Sequence, residues 1–428
     1  MNKFLIGSST AAHQVEGNNI HSDYWALENM EYTDFSEKSL DAVNHYKMYK
    51  EDIKMMKDAG LNAYRFSIEW ARIEPKKGEF DEKEISHYKD VILECKKNDI
   101  EPIVTLMHFT SPKWLIDEGG WENPLTVYYF KRYVKKIISS LGQYLNYVCT
   151  INEANMGIQV TRIAERYKKQ IMAAQSNKSQ EGSVQIGMNF DKMMKNMQLK
   201  AIESSKVFGT SSPQTFVSGR TTQGDLLVCK AHMEARDAIK SLYPNIKVGL
   251  TLSLHDIQVV DNGEENALKE WDDEFLHYIP FIENDDFLGI QNYSRSIISK
   301  DGLMPNIKGA LLTQMGYENY PSALGHVVSK VYNELHKPIL VTENGIATSN
   351  DEERCEFIKK ALDGLKQSIA QGSEVIGYMH WSFCDNFEWQ KGFSMQFGLV
   401  QVDRKNNFAR HKKPSLDLLG SYTKVFNS

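Results

Sequence analysis

Cysteine is scarce in this sequence: there are five, an odd number, and none stands at a metal-ligand spacing. That pattern disfavours both a disulfide framework and a structural zinc site. Long apolar runs are missing as well, and nothing approaches the roughly 20 residues that cross a bilayer. Basic residues are interspersed with acidic ones, the net charge is −6, and no basic stripe forms, so nucleic acid is not an expected partner. The opening Met1–Gly7 has one lysine and a three-residue apolar run. It is too short for a secretory leader and reads as a strand. The histidines lack His-Glu-x-x-His spacing, and no Gly-rich dinucleotide turn follows the first strand. The expectation is a cytoplasmic protein with no metal, no organic cofactor and no membrane association.

What is present is an ordinary globular composition, 41% hydrophobic and 25% charged, over 428 residues. Such a length suggests two or three domains, but α/β barrels run long as one. Short β-rich runs recur at Phe4–Ser8, Leu61–Ser67, Ile100–Met107, Tyr147–Asn152, Val248–Leu254, Phe287–Asn292, Pro338–Thr342 and Val375–His380. They are almost continuously apolar, as strands covered on both faces are. Cys149 falls inside one of them and reads as a small buried hydrophobe.

Helical spacing separates the runs. Tyr46, Tyr49, Ile53 and Met56 share one face, and Gly60 supplies a stop. Asn123-Pro124 opens another helix, with Phe130, Tyr133, Val134, Ile137 and Leu141 as its stripe. Leu324, Val327, Val328, Val331 and Leu335 form a third stripe, and Phe357, Ala361, Leu365 and Ile369 a fourth. Alternation of this kind gives βαβ units and a parallel sheet. The predicted fold is a single (β/α)8 TIM barrel over 1–428, with an open doubly wound sheet as the alternative. The stretch at about 156–224 breaks the alternation and is predicted to be an excursion after strand four with helices of its own.

Barrel active sites lie at the C-terminal ends of the strands. Those ends deliver Gln14 and Glu16, Arg65, His108-Phe109, Asn152-Glu153, Gln291-Asn292-Tyr293, Thr342-Glu343-Asn344-Gly345 and His380-Trp381, then Asp385, Glu388 and Trp389. Singly, each has a plain structural role open to it. Glu153 fits a helix N-cap, Glu343 a turn, Arg65 an ion pair, His108 a satisfied core position, and Trp381 and Trp389 core or rim. Together they place two glutamates at one mouth among amides and indoles. Glycoside hydrolysis needs paired carboxylates, and sugars need amides for their hydroxyls and aromatic faces for their rings. Trp114 and Trp121, in a Gly-Gly-Trp loop, read as structural.

On these residues the chain resembles glycoside hydrolase family 1, along its whole length. The matching motifs are Phe4-Leu5-Ile6-Gly7 through Gln14-Val15-Glu16-Gly17, Tyr64 to Trp70 with Arg72-Ile73-Glu74-Pro75, and Thr150-Ile151-Asn152-Glu153. Val341 to Gly345, Trp381-Ser382 through Asp385 to Trp389, and Phe397 to Val400 follow in order. The resemblance implies a retaining β-glycosidase with Glu153 as acid/base and Glu343 as nucleophile. It implies that Asn152 meets the sugar 2-hydroxyl and that Gln14, His108, Glu388 and Trp389 hold the others. Trp381 would be the platform, and Tyr293 and Arg65 would support the nucleophile, keeping it charged. The chain departs from the pattern at Phe109, a usual tryptophan, at Gln291, a usual asparagine, at Ala154, a usual proline, and in a missing Gly-rich stretch after strand four.

Two other readings are open. A 6-phospho-β-glycosidase typically has serine, lysine and tyrosine where this chain has Glu388, Met395 and Phe397, and a carboxylate at Glu388 would repel phosphate. A catalytically silent sugar-binding barrel is the second.

Overall fold

The computed structural model describes residues 3–172 and 185–428. Each run predicted as a strand forms one. They are β1 (Leu5–Ser9), β2 (Ala63–Ser67), β3 (Glu101–Met107), β4 (Tyr147–Ile151), β5 (Lys247–Gly249 and Thr251–Ser253), β6 (Leu288–Gln291), β7 (Ile339–Asn344) and β8 (Val375–Trp381).

All are parallel, and they close into a barrel. β1 pairs with β2 on one side and β8 on the other. β2, β3 and β4 follow in order, and β4 pairs with the first half of β5. The second half of β5 pairs with β6, and β7 then joins β6 to β8. β5 is split because the Leu250 N–H leaves the ladder and donates to Asp285 Oδ2 at 2.9 Å. Closure excludes the open doubly wound sheet.

Helices ring the barrel. They include α1 (His45–Ala59), α2 (Glu82–Lys97), α3 (Leu125–Leu141), α4 (Met156–Met172), α5 (Phe190–Phe208), α6 (Thr222–Leu242), α7 (Glu264–Glu274), α8 (Ala323–Leu335), α9 (Asp351–Ala370) and α10 (Pro414–Asn427). The predicted stripes are their buried faces: Ile53 and Met56 in α1, Phe130 to Leu141 in α3, Leu324 to Val331 in α8, and Phe357 to Leu365 in α9. Gly60 ends α1 at φ 92°, a left-handed conformation that glycine adopts without penalty. Asn123 Oδ1 accepts the Leu125 N–H at 2.9 Å, so it caps the start of α3, with Pro124 as the boundary residue.

The barrel interior is a packed core. Leu5, Ala63, Ile103, Cys149, Phe287, Leu340 and Met379 form one buried cluster drawn from around the ring. Strand side chains on one face recur every second residue, so Arg65, two on from Ala63, points into the same interior one layer nearer the C-terminal mouth. Trp114 and Trp121 hold the β3 loop: their indole N–H groups donate to Glu74 O at 2.9 Å and Ser111 Oγ at 3.0 Å.

Within the excursion predicted at 156–224, α4 and α5 are helical. Residues 173–184 of it lie outside the described residues. No helix among the described residues is long and apolar enough to cross a membrane.

Candidate active site

The strand ends deliver their polar side chains to one buried cluster. Glu343 sits inside β7 rather than in a turn, opposite Gln291 of β6 across a register shift. The glycine after Asn344 follows from crowding: a Cβ on Gly345 would stand 2.0 Å from the Trp381 carbonyl oxygen. Glu343 is 4% exposed. Arg65 Nη1 donates to its Oε1 at 2.7 Å, and the Tyr293 hydroxyl donates to its Oε2 at 2.7 Å.

Glu153 follows β4 with φ 44°, a left-handed conformation that a non-glycine residue holds only when its surroundings enforce it. Two main-chain bonds do so. Its N–H donates to Thr251 Oγ1 at 3.0 Å, and its carbonyl accepts the Met156 N–H at 2.9 Å. The carboxyl is thereby freed from the capping role open to it in the sequence, and the Ser253 hydroxyl faces it.

The two carboxyls differ electrostatically. Burial pushes Glu153 well above the usual carboxylate range, the charge of Glu343 adds to the rise, and Arg65 opposes it. Burial raises Glu343 as well. Arg65 and Tyr293, expected from the sequence to keep Glu343 charged, pull its pKa down, but desolvation is the larger effect. The asymmetry lies in contact. Glu343 has a guanidinium on one oxygen and a phenol on the other, so it is the carboxyl of the pair that ionises more readily.

Asn152 is oriented by its neighbours. Its Oδ1 accepts from Arg65 Nη2 at 2.5 Å and from Gln291 Nε2 at 2.9 Å, which leaves its amide N–H2 to donate. One of those N–H groups meets His108 Nε2 at 3.1 Å. Burial, helped by Arg65, holds the His108 pKa well below its usual value, so the ring is neutral. With Nε2 accepting, the ring proton is on Nδ1, and that buried atom has no protein partner among the described residues.

Glu388, Gln14 and the tryptophans complete the cluster. Gln14 Nε2 reaches Phe387 O at 2.9 Å and Glu388 Oε2 at 3.3 Å, while its buried Oε1 is also unpartnered. Burial pushes Glu388 up to about 8; the Gly187 N–H and the Gln14 amide pull against it, and the Glu343 charge adds to it. Trp381 lies 5.7 Å from the His108 ring, and Trp389 lies 6.1 Å from it. Phe109, at the usual tryptophan position, packs 5.3 Å from Trp389 and offers no donor.

A strip that returns from the excursion adds contacts that the sequence pattern does not mark. Gln185 Oε1 accepts the Tyr293 N–H at 2.7 Å, and its Nε2 donates to Ser253 Oγ at 3.1 Å. The Gly187 N–H donates to Glu388 Oε1 at 3.2 Å, and a Cβ there would stand 2.7 Å from the Glu388 carbonyl oxygen. Asn189 N–H donates to Gln390 Oε1 at 2.7 Å. Nothing in the local pattern of Gln185 and Gly187 marks them, because they neither end a strand nor open a helix, and Asn189 is marked only as the residue before α5.

Comparison with known proteins bears on this geometry. The sequence profile of glycosyl hydrolase family 1 matches residues 1–311 and 283–425. A beta-glucosidase from an Agrobacterium species is 27% identical over 94% of this chain and 90% of its own length. Beta-glucosidase A of Acetivibrio thermocellus is 28% identical, covering 94% and 93%. A 6-phospho-beta-galactosidase of Clostridium acetobutylicum is 27% identical, covering 95% and 94%. Among solved structures, a beta-glycosidase superposes with a TM-score of 0.87 at 37% identity, covering 99% of this chain and 96% of its own.

Proposed function

The chain belongs to glycosyl hydrolase family 1 and is a retaining β-glycosidase, and from that premise we propose that Glu343 is its nucleophile and Glu153 its acid/base. The observation that carries the assignment is the pairing of Glu343 with Arg65 and Tyr293, both at 2.7 Å, beside a second buried carboxyl whose own pKa the Glu343 charge raises. Retaining enzymes hold such carboxyls roughly 5–5.5 Å apart, on opposite faces of the scissile bond.

The reaction follows from that asymmetry. Glu343 attacks the anomeric carbon while Glu153 gives its proton to the departing oxygen, and a glycosyl ester forms as the aglycone leaves. Esterification removes the Glu343 charge, so the Glu153 pKa falls and its carboxylate can take a proton from water. That water opens the ester, and Glu343 departs as carboxylate. Two inversions return the original configuration.

The sugar contacts belong to the same proposal. Asn152 donates to the 2-hydroxyl, and Gln14, His108, Glu388 and Trp389 hold the remaining hydroxyls. Trp381 supplies the ring platform. The unpaired buried atoms Gln14 Oε1 and His108 Nδ1 support this, since buried polar atoms of a binding site are paired by the ligand. A terminal β-D-glucosyl residue is the favoured substrate, with β-galactosides and β-fucosides as neighbouring candidates. Glu388 weighs against a 6-phosphosugar, because a carboxyl group held by the Gly187 N–H and the Gln14 amide offers the phosphate no counter-charge. We further infer that 1–428 works as one barrel unit with 156–224 as an excursion. The cytoplasmic location is part of this reading and rests on five unpaired cysteines, of which Cys95, Cys149, Cys229 and Cys384 are buried.

Proton NMR of p-nitrophenyl β-D-glucoside during cleavage tests the mechanism. The first-formed sugar is expected to be the β anomer, later equilibrating; the α anomer appearing first contradicts it.

A further inference from the structure

Behind the Trp389 wall, a cavity of about 390 Å³ opens between α5 and the segment that follows β1. That volume suits a small organic molecule. One side is thioether: Met193, Met194 and Met197 of α5, with Met188 beside them. The other side includes Tyr24 and Phe35, buried and packed edge to face at 5.6 Å. Methionines adapt their shape to what lies against them, while the crossed rings offer a fixed wall. Met194 and Met197 are 43% and 58% exposed, so apolar surface stands open at the rim.

Methionine as gap-filler would account for the apolar lining, but it leaves two polar atoms unexplained. Asp34 Oδ1 and Ser204 Oγ belong to residues that line the same cavity and are 2% and 1% exposed. Neither has a hydrogen-bond partner among the described residues. Lys200 already pairs with the second oxygen of Asp34. With that charge balanced, the free oxygen suits a neutral hydroxyl donor better than a cation, and Ser204 can bond the same hydroxyl. An unpaired buried acceptor is costly, and a ligand hydroxyl would relieve it.

We propose that this cavity is a second binding site, for a neutral ring-shaped apolar molecule that carries a hydroxyl group. Its rings lie between the methionines and the Tyr24–Phe35 pair, and its hydroxyl meets Asp34 Oδ1 and Ser204 Oγ. The site adjoins the sugar-binding wall: Tyr24 packs against Trp389 at 5.2 Å, and Met188 follows Gly187, whose N–H holds Glu388. The occupant is either a free hydroxylated ring compound or the ring portion of an uncleaved glycoside.

Titration of the full-length enzyme with 2-naphthol, followed by its fluorescence and by calorimetry, tests the proposal without any turnover. One saturable site per chain is expected, unchanged when an imino sugar saturates the sugar pocket. Naphthalene is expected to bind about 5-fold more weakly, and Ser204→Ala to weaken 2-naphthol by about the same factor, as loss of one hydrogen bond does. Ala201→Phe, which fills the cavity from α5, is expected to abolish binding while thermal midpoint and p-nitrophenyl glucoside turnover hold. The hydrolysis-resistant 2-naphthyl 1-thio-β-D-glucoside separates the two sources. If its inhibition constant rises in Ala201→Phe, the glycoside's ring enters the cavity; if it does not, a free compound is the occupant. Absence of saturable binding overturns the proposal, as does displacement by the imino sugar. So does a site that treats naphthalene and 2-naphthol alike and ignores Ser204→Ala.

Discussion

Arg65 and Glu343 form an ion pair of 2.7 Å whose side chains are 0% and 5% exposed. The same guanidinium holds Asn152 at 2.5 Å, so one residue of β2 both favours the ionised form of β7's glutamate and fixes the direction of β4's amide. Lysine cannot reproduce that fork, because an ammonium is a single point of charge. Removing the guanidinium also takes away the main force that lowers the Glu343 pKa.

Arg65→Met therefore moves the acid limb of the kcat/KM profile to higher pH, since Glu343 must be ionised to attack and its pKa rises without its partner. We expect kcat/KM to fall by about 10²–10³-fold. Breaking a buried pair from one side costs on the order of 3–5 kcal/mol, so a lower thermal midpoint should accompany the loss. Arg65→Lys should recover part of the pH profile and little of the rate. A pH–rate series on the three proteins checks this, and an unmoved acid limb in Arg65→Met counts against the assignment.

Glu153→Ala should discriminate between leaving groups. Without a proton donor, p-nitrophenyl β-glucoside turnover falls by about 10²–10⁴-fold, the usual span of general acid catalysis. The 2,4-dinitrophenyl glucoside needs far less protonation and should form the ester at a rate much closer to wild type. The basic limb of kcat/KM, which reports the raised Glu153 pKa, should flatten. Equal losses in the rate of ester formation on both substrates would remove Glu153 from the acid role.

Glu388 should imprint itself on stability. Burial raises it from 4.5 to about 8, so between those values the folded chain binds protons that the unfolded chain has released. Its contribution is fully present below pH 4.5 and is lost as pH rises through about 8. Calorimetric midpoints across that window should fall less steeply for Glu388→Gln than for wild type. Some slope will persist, because Glu153 and Glu343 are raised too. Identical slopes would mean that Glu388 is not protonated in the folded state.

The barrel was legible because its strands are apolar on both faces and its helices carry clean stripes, as with Phe130 to Leu141. The split of β5 was not, since it depends on the Asp285 carboxylate reaching Leu250 from a distant loop. Asn152, Glu153 and Glu343 are legible because each closes an apolar run, and Arg65 because it is a charge set inside one. Gln185 and Gly187 touch Tyr293 and Glu388, yet they follow a polar stretch with no period, and only the fold brings them to the mouth. The same holds for Asp34 and Ser204, which are 170 residues apart in sequence order on any reading of their numbers, about the length of a whole domain. Desolvation, which outweighs Arg65 at Glu343, likewise depends on packing that a sequence does not display.

The division of labour between the two carboxyls is tested most directly by Glu343→Ala with and without azide. Turnover of an activated aryl β-glucoside should vanish in the variant, and azide should restore cleavage and yield the α-glycosyl azide, because a small anion then fills the nucleophile's place. Unimpaired hydrolysis by Glu343→Ala, or a rescued product of β configuration, would contradict the account.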